Sequence, residues 1–91
     1  MWAWLRSWWH KPALRHSVVM YTRSGCHLCD EAWHQLETAA QHRPLHLKQI
    51  NVDTDPDLAA RYGLEVPVVE IDGRVRFRGR INPVLLKRLL R

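Results

Sequence analysis

The sequence predicts an α/β domain of order β-α-β-α-β-β-α, a three-layer sandwich built on a four-stranded mixed sheet. Three observations carry that expectation. Short β-branched runs alternate with stretches of helical periodicity, two of those stretches open on a capping residue followed by proline, and an Asp-Gly pair joins two strand-like runs. Of the 91 residues, 46% are hydrophobic and 25% are charged, a balance that suits one small folded domain and excludes a disordered chain.

Ser17 to Thr22 is apolar and β-branched, which suits a strand covered on both faces, and Arg23-Ser24-Gly25 makes a turn after it. From Cys26 to about Gln41, the residues Cys29, Ala32, Trp33, Leu36 and Ala40 recur at three- and four-residue steps, predicting a helix with one buried stripe. Pro44 separates it from a second strand, Leu45 to Val52. Asp55-Pro56 then caps a short helix that ends at about Tyr62 and is closed by Gly63. Val66 to Ile71, Asp72-Gly73 and Arg74 to Arg78 read as a hairpin, with Pro67 early in its strand, where a missing N–H is tolerated. Asn82-Pro83 repeats the cap-plus-proline signal, and Leu85, Leu86, Leu89 and Leu90 give the last helix its apolar face.

No stretch approaches the roughly 20 apolar residues that span a bilayer, and the apolar start is broken by Arg6, His10 and Lys11. It also lacks the order of a secretory signal, so the expected address is the cytoplasm. Two cysteines in such a chain are not a secreted disulfide framework and need a specific explanation. The net charge of +5 suits acidic partners in general and names none of them.

The two thiols are spaced Cys26-His27-Leu28-Cys29 between a strand and a helix. That places Cys26 at a helix start, where unpaired N–H groups and the helix dipole favour a thiolate. Cys29 falls on the buried stripe. The pattern implies thiol–disulfide exchange, with Cys26 attacking and Cys29 resolving the mixed disulfide. A purely structural disulfide is the weaker alternative, because closing so short a loop contributes only about 2 kcal/mol. Structural zinc usually wants four ligands, and Cys26, Cys29 and His27 supply three, with no second Cys-x-x-Cys or His pair. His27 is either an aid to the thiolate or an exposed histidine, and Arg23 either offers charge to a thiolate or anionic thiol or is solvated. Asp30 and Glu31 suit the helix dipole and read as structural.

Tyr21-Thr22-Arg23-Ser24-Gly25-Cys26-His27-Leu28-Cys29-Asp30, followed by Val66-Pro67 and a hairpin, resembles the compact glutaredoxin-like branch of the thioredoxin superfamily over residues 17 to 91. The resemblance implies a thioredoxin-like fold, a cis peptide before Pro67, and substrate pairing along the backbone of Val66. It also marks departures. The Cys-His-Leu-Cys motif differs from the family's usual Cys-Pro-Tyr-Cys, and Arg78-Gly79-Arg80-Ile81-Asn82-Pro83 stands where relatives carry the Gly-Gly-x-Asp-Asp glutathione segment. The acidic pair that grips an amine is missing. Gly79 and the Asn82 cap retain N–H groups for a carboxylate.

Arg74, Arg76, Arg78 and Arg80 alternate with Val75, Phe77 and Gly79, which predicts one basic strand face for an acidic partner, or charged protection of a sheet edge. Nucleic acid is not expected, because no aromatic residues interleave there. Residues 1–15 form a Trp-rich extension to the domain at 16–91. If helical, Trp2, Trp4, Leu5, Trp8 and Trp9 share one side, which suits a membrane surface, a groove on a partner, or an apolar surface of the domain itself. The expected protein is a glutaredoxin-like thiol–disulfide oxidoreductase acting on protein or low-molecular-weight disulfides, with no tightly bound cofactor and glutathione as one candidate reductant. An iron–sulfur or other metal-binding module and a non-enzymatic adaptor are the alternatives.

Overall fold

The computed structural model describes residues 16–91. The expectations for the Trp-rich extension lie outside that range. Four strands, β1 (His16–Thr22), β2 (Leu45–Asn51), β3 (Val68–Ile71) and β4 (Arg74–Arg78), form one sheet in the order β2-β1-β3-β4. β1 runs parallel to β2 and antiparallel to β3, and β3 pairs antiparallel with β4. Among the described residues, three helices, α1 (His27–His42), α2 (Pro56–Tyr62) and α3 (Pro83–Leu89), complete the predicted order, and a 3-10 turn at Val52–Thr54 follows β2.

The side-chain alternation of the strands divides the core in two. Val18, Met20, Val69, Ile71 and Phe77 point to one face and pack with Cys29, Ala32 and Leu36 of α1 and Leu86 of α3. Val68 points to the other face and packs with Val52 and Tyr62, while Tyr21 and Leu58 lie against this smaller cluster. Val19 and Tyr21 are only half covered, so β1 is fully buried on the α1 face and partly on the other. Burial also pushes the Tyr21 phenol up, as does Glu70, whose Oε2 accepts from the Tyr21 hydroxyl at 3.2 Å.

The expected single basic face on β4 does not form. A bulge between Val69 and Glu70 in the β3–β4 ladder pairs Phe77 with Val69 and Val75 with Glu70, so Arg76 has no partner residue. This extra residue sends Phe77 into the α1-side core and Val75 to the opposite cluster. Arg74 and Arg78 therefore belong to opposite faces, and Arg78 donates to Glu65 at 2.9 Å. The four arginines do not present one docking face. β4 is a sheet edge, where their charge opposes pairing with other chains. In α3, Leu86 is buried, but Leu85 is exposed, because the helix turns it away from the sheet.

The Asp72-Gly73 turn has positive φ at both residues, 52° and 84°, as a two-residue hairpin loop requires. Asp72 also closes the end of the sheet: its Oδ1 accepts from Ser17 N–H at 3.0 Å and its Oδ2 lies 2.6 Å from His16 Nδ1. The Asp72 bond raises the His16 pKa above its ordinary value of about 6.5. Hydrogen bonds from Ser17 and His16 lower that of Asp72. A group whose folded pKa is raised stabilises fully below its unfolded pKa and loses that contribution as pH rises through the folded one. A depressed carboxyl does so above its unfolded pKa and loses it as pH falls. The clasp is thus strongest between the ordinary Asp and His values. The urea midpoint of wild-type protein should exceed that of His16→Gln most at about pH 5 to 6, and the difference should shrink toward pH 9.

Candidate active site

The site forms where β1 ends. Gly25 adopts φ 75°, a left-handed turn that aims the chain into α1, and Cys26 is the helix N-cap. Cys26 Sγ accepts the backbone N–H of Cys29 at 3.1 Å. A sulfur atom therefore takes the capping role usually held by an oxygen. Cys26 and Cys29 are joined by a disulfide with Cα atoms 5.2 Å apart. The two sulfurs differ in access. Cys29 is 2% exposed inside the α1-side core, whereas Cys26 is half-buried at its rim.

The peptide between Val66 and Pro67 is cis. Val66 packs against both core clusters, and Pro67 is buried. His27, the first residue of α1, is exposed beside Cys26, and Asp30 is exposed in the first turn.

Three expected binding residues turn out to be committed within the chain. Gly79, at φ 81°, donates its N–H to the Pro67 carbonyl at 2.8 Å. The Asn82 side chain accepts from Val84 and Leu85 N–H groups at 2.9 and 3.1 Å, which consumes the cap donors of a seven-residue helix. These bonds occupy the N–H of Gly79 and the cap N–H groups of Val84 and Leu85. Arg23 grips Asp53 with Nε and Nη2 at 3.1 and 2.8 Å and donates from Nη1 to the Gly63 carbonyl at 3.1 Å. These bonds make Arg23 a clip that ties the active-site turn to the 3-10 turn and to the end of α2. The hydrogen bond from Arg23 holds Asp53 below the usual carboxylate range.

The clip also explains Gly63. Its φ is −55°, so no left-handed conformation requires glycine there. A Cβ at this position would strike the Ala59 carbonyl and lie 3.0 Å from the Arg23 guanidinium. Asp53 and Gly63 were not legible as site residues, because only complementary charge connects Arg23 to a partner 30 positions away.

A groove of about 310 Å³ runs beside the motif, lined by Leu28, Leu64, Glu65, Val66, Arg78 and Gly79. Leu64 is 99% exposed there, and the sequence signal for it was an apolar residue in the turn after Gly63. Among the described residues no group of three or more His, Cys, Asp or Glu side chains could hold a metal ion. Among the same residues no helix is long and apolar enough to cross a membrane.

A Cys-x-x-Cys disulfide at a helix start on this four-stranded sheet defines a thiol–disulfide oxidoreductase of the thioredoxin superfamily. The chain belongs to the glutaredoxin-like domain family (DUF836), which matches residues 17–91. An uncharacterized protein of Mycobacterium tuberculosis is 34% identical over 65 residues, covering 66% of this chain and 67% of the relative. A Nitrosomonas europaea protein solved by solution NMR superimposes with a TM-score of 0.74 at 26% identity, covering 84% of this chain and 92% of its own. A mutant thioredoxin from Halobacterium salinarum matches with a TM-score of 0.60 at 26% identity, over 82% of this chain and 71% of its own.

Proposed function

We propose that Cys26 is the attacking thiol and Cys29 the resolving thiol in the reduction of protein or low-molecular-weight disulfides. The observation that carries this reading is the hydrogen bond from Cys29 N–H to Cys26 Sγ, combined with the burial of Cys29. The Cys26 thiolate attacks one sulfur of the substrate disulfide, and the other leaves as a thiolate that takes a proton. Cys29 then loses its proton and attacks Cys26 Sγ, releasing the second substrate thiol. Two electrons pass to the substrate, and the protein is left with the Cys26–Cys29 disulfide. Regeneration takes two electrons from thiols, either two molecules of glutathione, which leave as glutathione disulfide, or one dithiol, which leaves as its own disulfide. The cytoplasm, where such reductants are maintained, is the setting that the cysteine usage favours.

The substrate is read as lying along Val66 and Pro67, in the groove bordered by Leu28 and Leu64. His27 stands at the exposed edge of the same site. The test is the pH dependence of alkylation of the reduced protein, followed by mass spectrometry of each cysteine. Cys26 should react with iodoacetamide along a titration curve whose midpoint lies below the ordinary thiol value of about 8.5, while Cys29 stays protected. A midpoint for Cys26 at or above that value, or preferential labelling of Cys29, contradicts the assignment.

A further inference from the structure

We propose that the apolar groove between α1 and α3 is the docking site of this chain's own tryptophan-rich segment, residues 2–9. The groove encloses about 370 Å³, with Ala39, Pro83, Leu86 and Leu90 as its apolar lining and Arg43 and Lys87 among its basic residues. None of its lining residues among the described ones is acidic. It lies along the C-terminal half of α1, more than a turn from Cys29, and does not include the redox site.

Chain path and reach select the occupant. His16 Nε2 lies 3.3 Å from the Arg91 carbonyl, and Arg43 Nη1 donates to the Leu90 carbonyl at 3.2 Å. The chain therefore enters β1 beside Arg43 and Leu90, which themselves line one end of the groove. Residues 10–15 span up to about 20 Å when extended, and the seven residues of α3 extend only about 10 Å. Residues 2–9 thus reach every point of the groove without leaving their own molecule. Four of the five tryptophans of the chain, Trp2, Trp4, Trp8 and Trp9, lie in that segment. Each indole buries roughly 150–250 Å² on packing, and its face attracts cations such as those of Arg43 and Lys87. Leu86 and Leu90 form the groove floor at 5% and 3% exposure, so the apolar residues left to cover are Ala39 and Pro83.

The test compares the full chain with its Trp2/Trp4/Trp8/Trp9→Ala variant by methyl NMR. The full chain should show nuclear Overhauser contacts from indole protons to the methyls of Ala39, Leu86 and Leu90, unchanged by tenfold dilution. The variant should lose them and shift those methyl signals. Thr38→Arg, at an exposed groove position, should produce the same loss from the other side. Superimposable methyl spectra of full chain and variant would overturn the proposal. So would contacts that vanish on dilution, which indicate a second copy, and an indole response seen only with phosphatidylglycerol vesicles, which indicates a lipid surface.

Discussion

Cys26→Ser should lower disulfide reduction by on the order of 10³-fold or more, measured as turnover of a peptide disulfide with excess dithiol reductant. A serine hydroxyl is not ionised near neutral pH and does not exchange with disulfides, so neither the mixed disulfide nor the oxidised protein can form. The fold should survive. The hydroxyl caps α1 at least as well as sulfur does, and Cys26 sits at the rim of the core. Stability is best compared with reduced wild-type protein, because the four-residue disulfide loop alone is worth about 2 kcal/mol in the oxidised form. A Cys26→Ser variant that kept wild-type turnover would remove this cysteine from the chemistry.

Leu36→Ala should be the most damaging of the core substitutions on α1, costing about 2–5 kcal/mol in urea unfolding. Leu36 has 0% exposure and shares its helical face with Cys29 and Ala32. It belongs to the cluster that contains Val18, Met20, Val69 and Phe77. A cost of that size takes a large share of the roughly 5–15 kcal/mol that hold an ordinary domain together. The α1 start lies about two and a half turns away, so the alkylation profile of Cys26 should be kept under conditions where the variant is folded. A loss under 1 kcal/mol would mean that α1 does not pack on the sheet as described.

Much of this architecture was legible because its signals are local. The stripe from Cys29 to Leu36, the caps at Asp55 and Asn82 and the Asp-Gly turn each operate within a few residues, and each lies where the sequence placed it. What was missed depends on long-range geometry. Alternation in Arg74 to Arg78 is compatible with a regular strand or a bulged one, and only the pairing with β3 shows that Arg76 is the extra residue. The acceptor of the Gly79 N–H, the Pro67 carbonyl, is twelve residues away and is set by tertiary geometry. Likewise, no local signal joins Arg23 to Asp53 and Gly63, which the fold brings against it. The redox pair was the opposite case. Its spacing and helical position are local, so its chemistry was readable, while the residues that shape the surrounding groove were not.

The asymmetry of that pair is tested most directly by a trapping experiment with Cys29→Ser. Without its resolving thiol, the variant should stall after the first exchange and accumulate a covalent adduct on Cys26 with a disulfide peptide or with oxidised glutathione. The adduct should be visible by mass spectrometry and released by dithiothreitol. The matching Cys26→Ser variant should accumulate none. Failure of Cys29→Ser to form any adduct on Cys26, or an adduct on Cys29 in the Cys26→Ser variant at a comparable rate, would contradict the account.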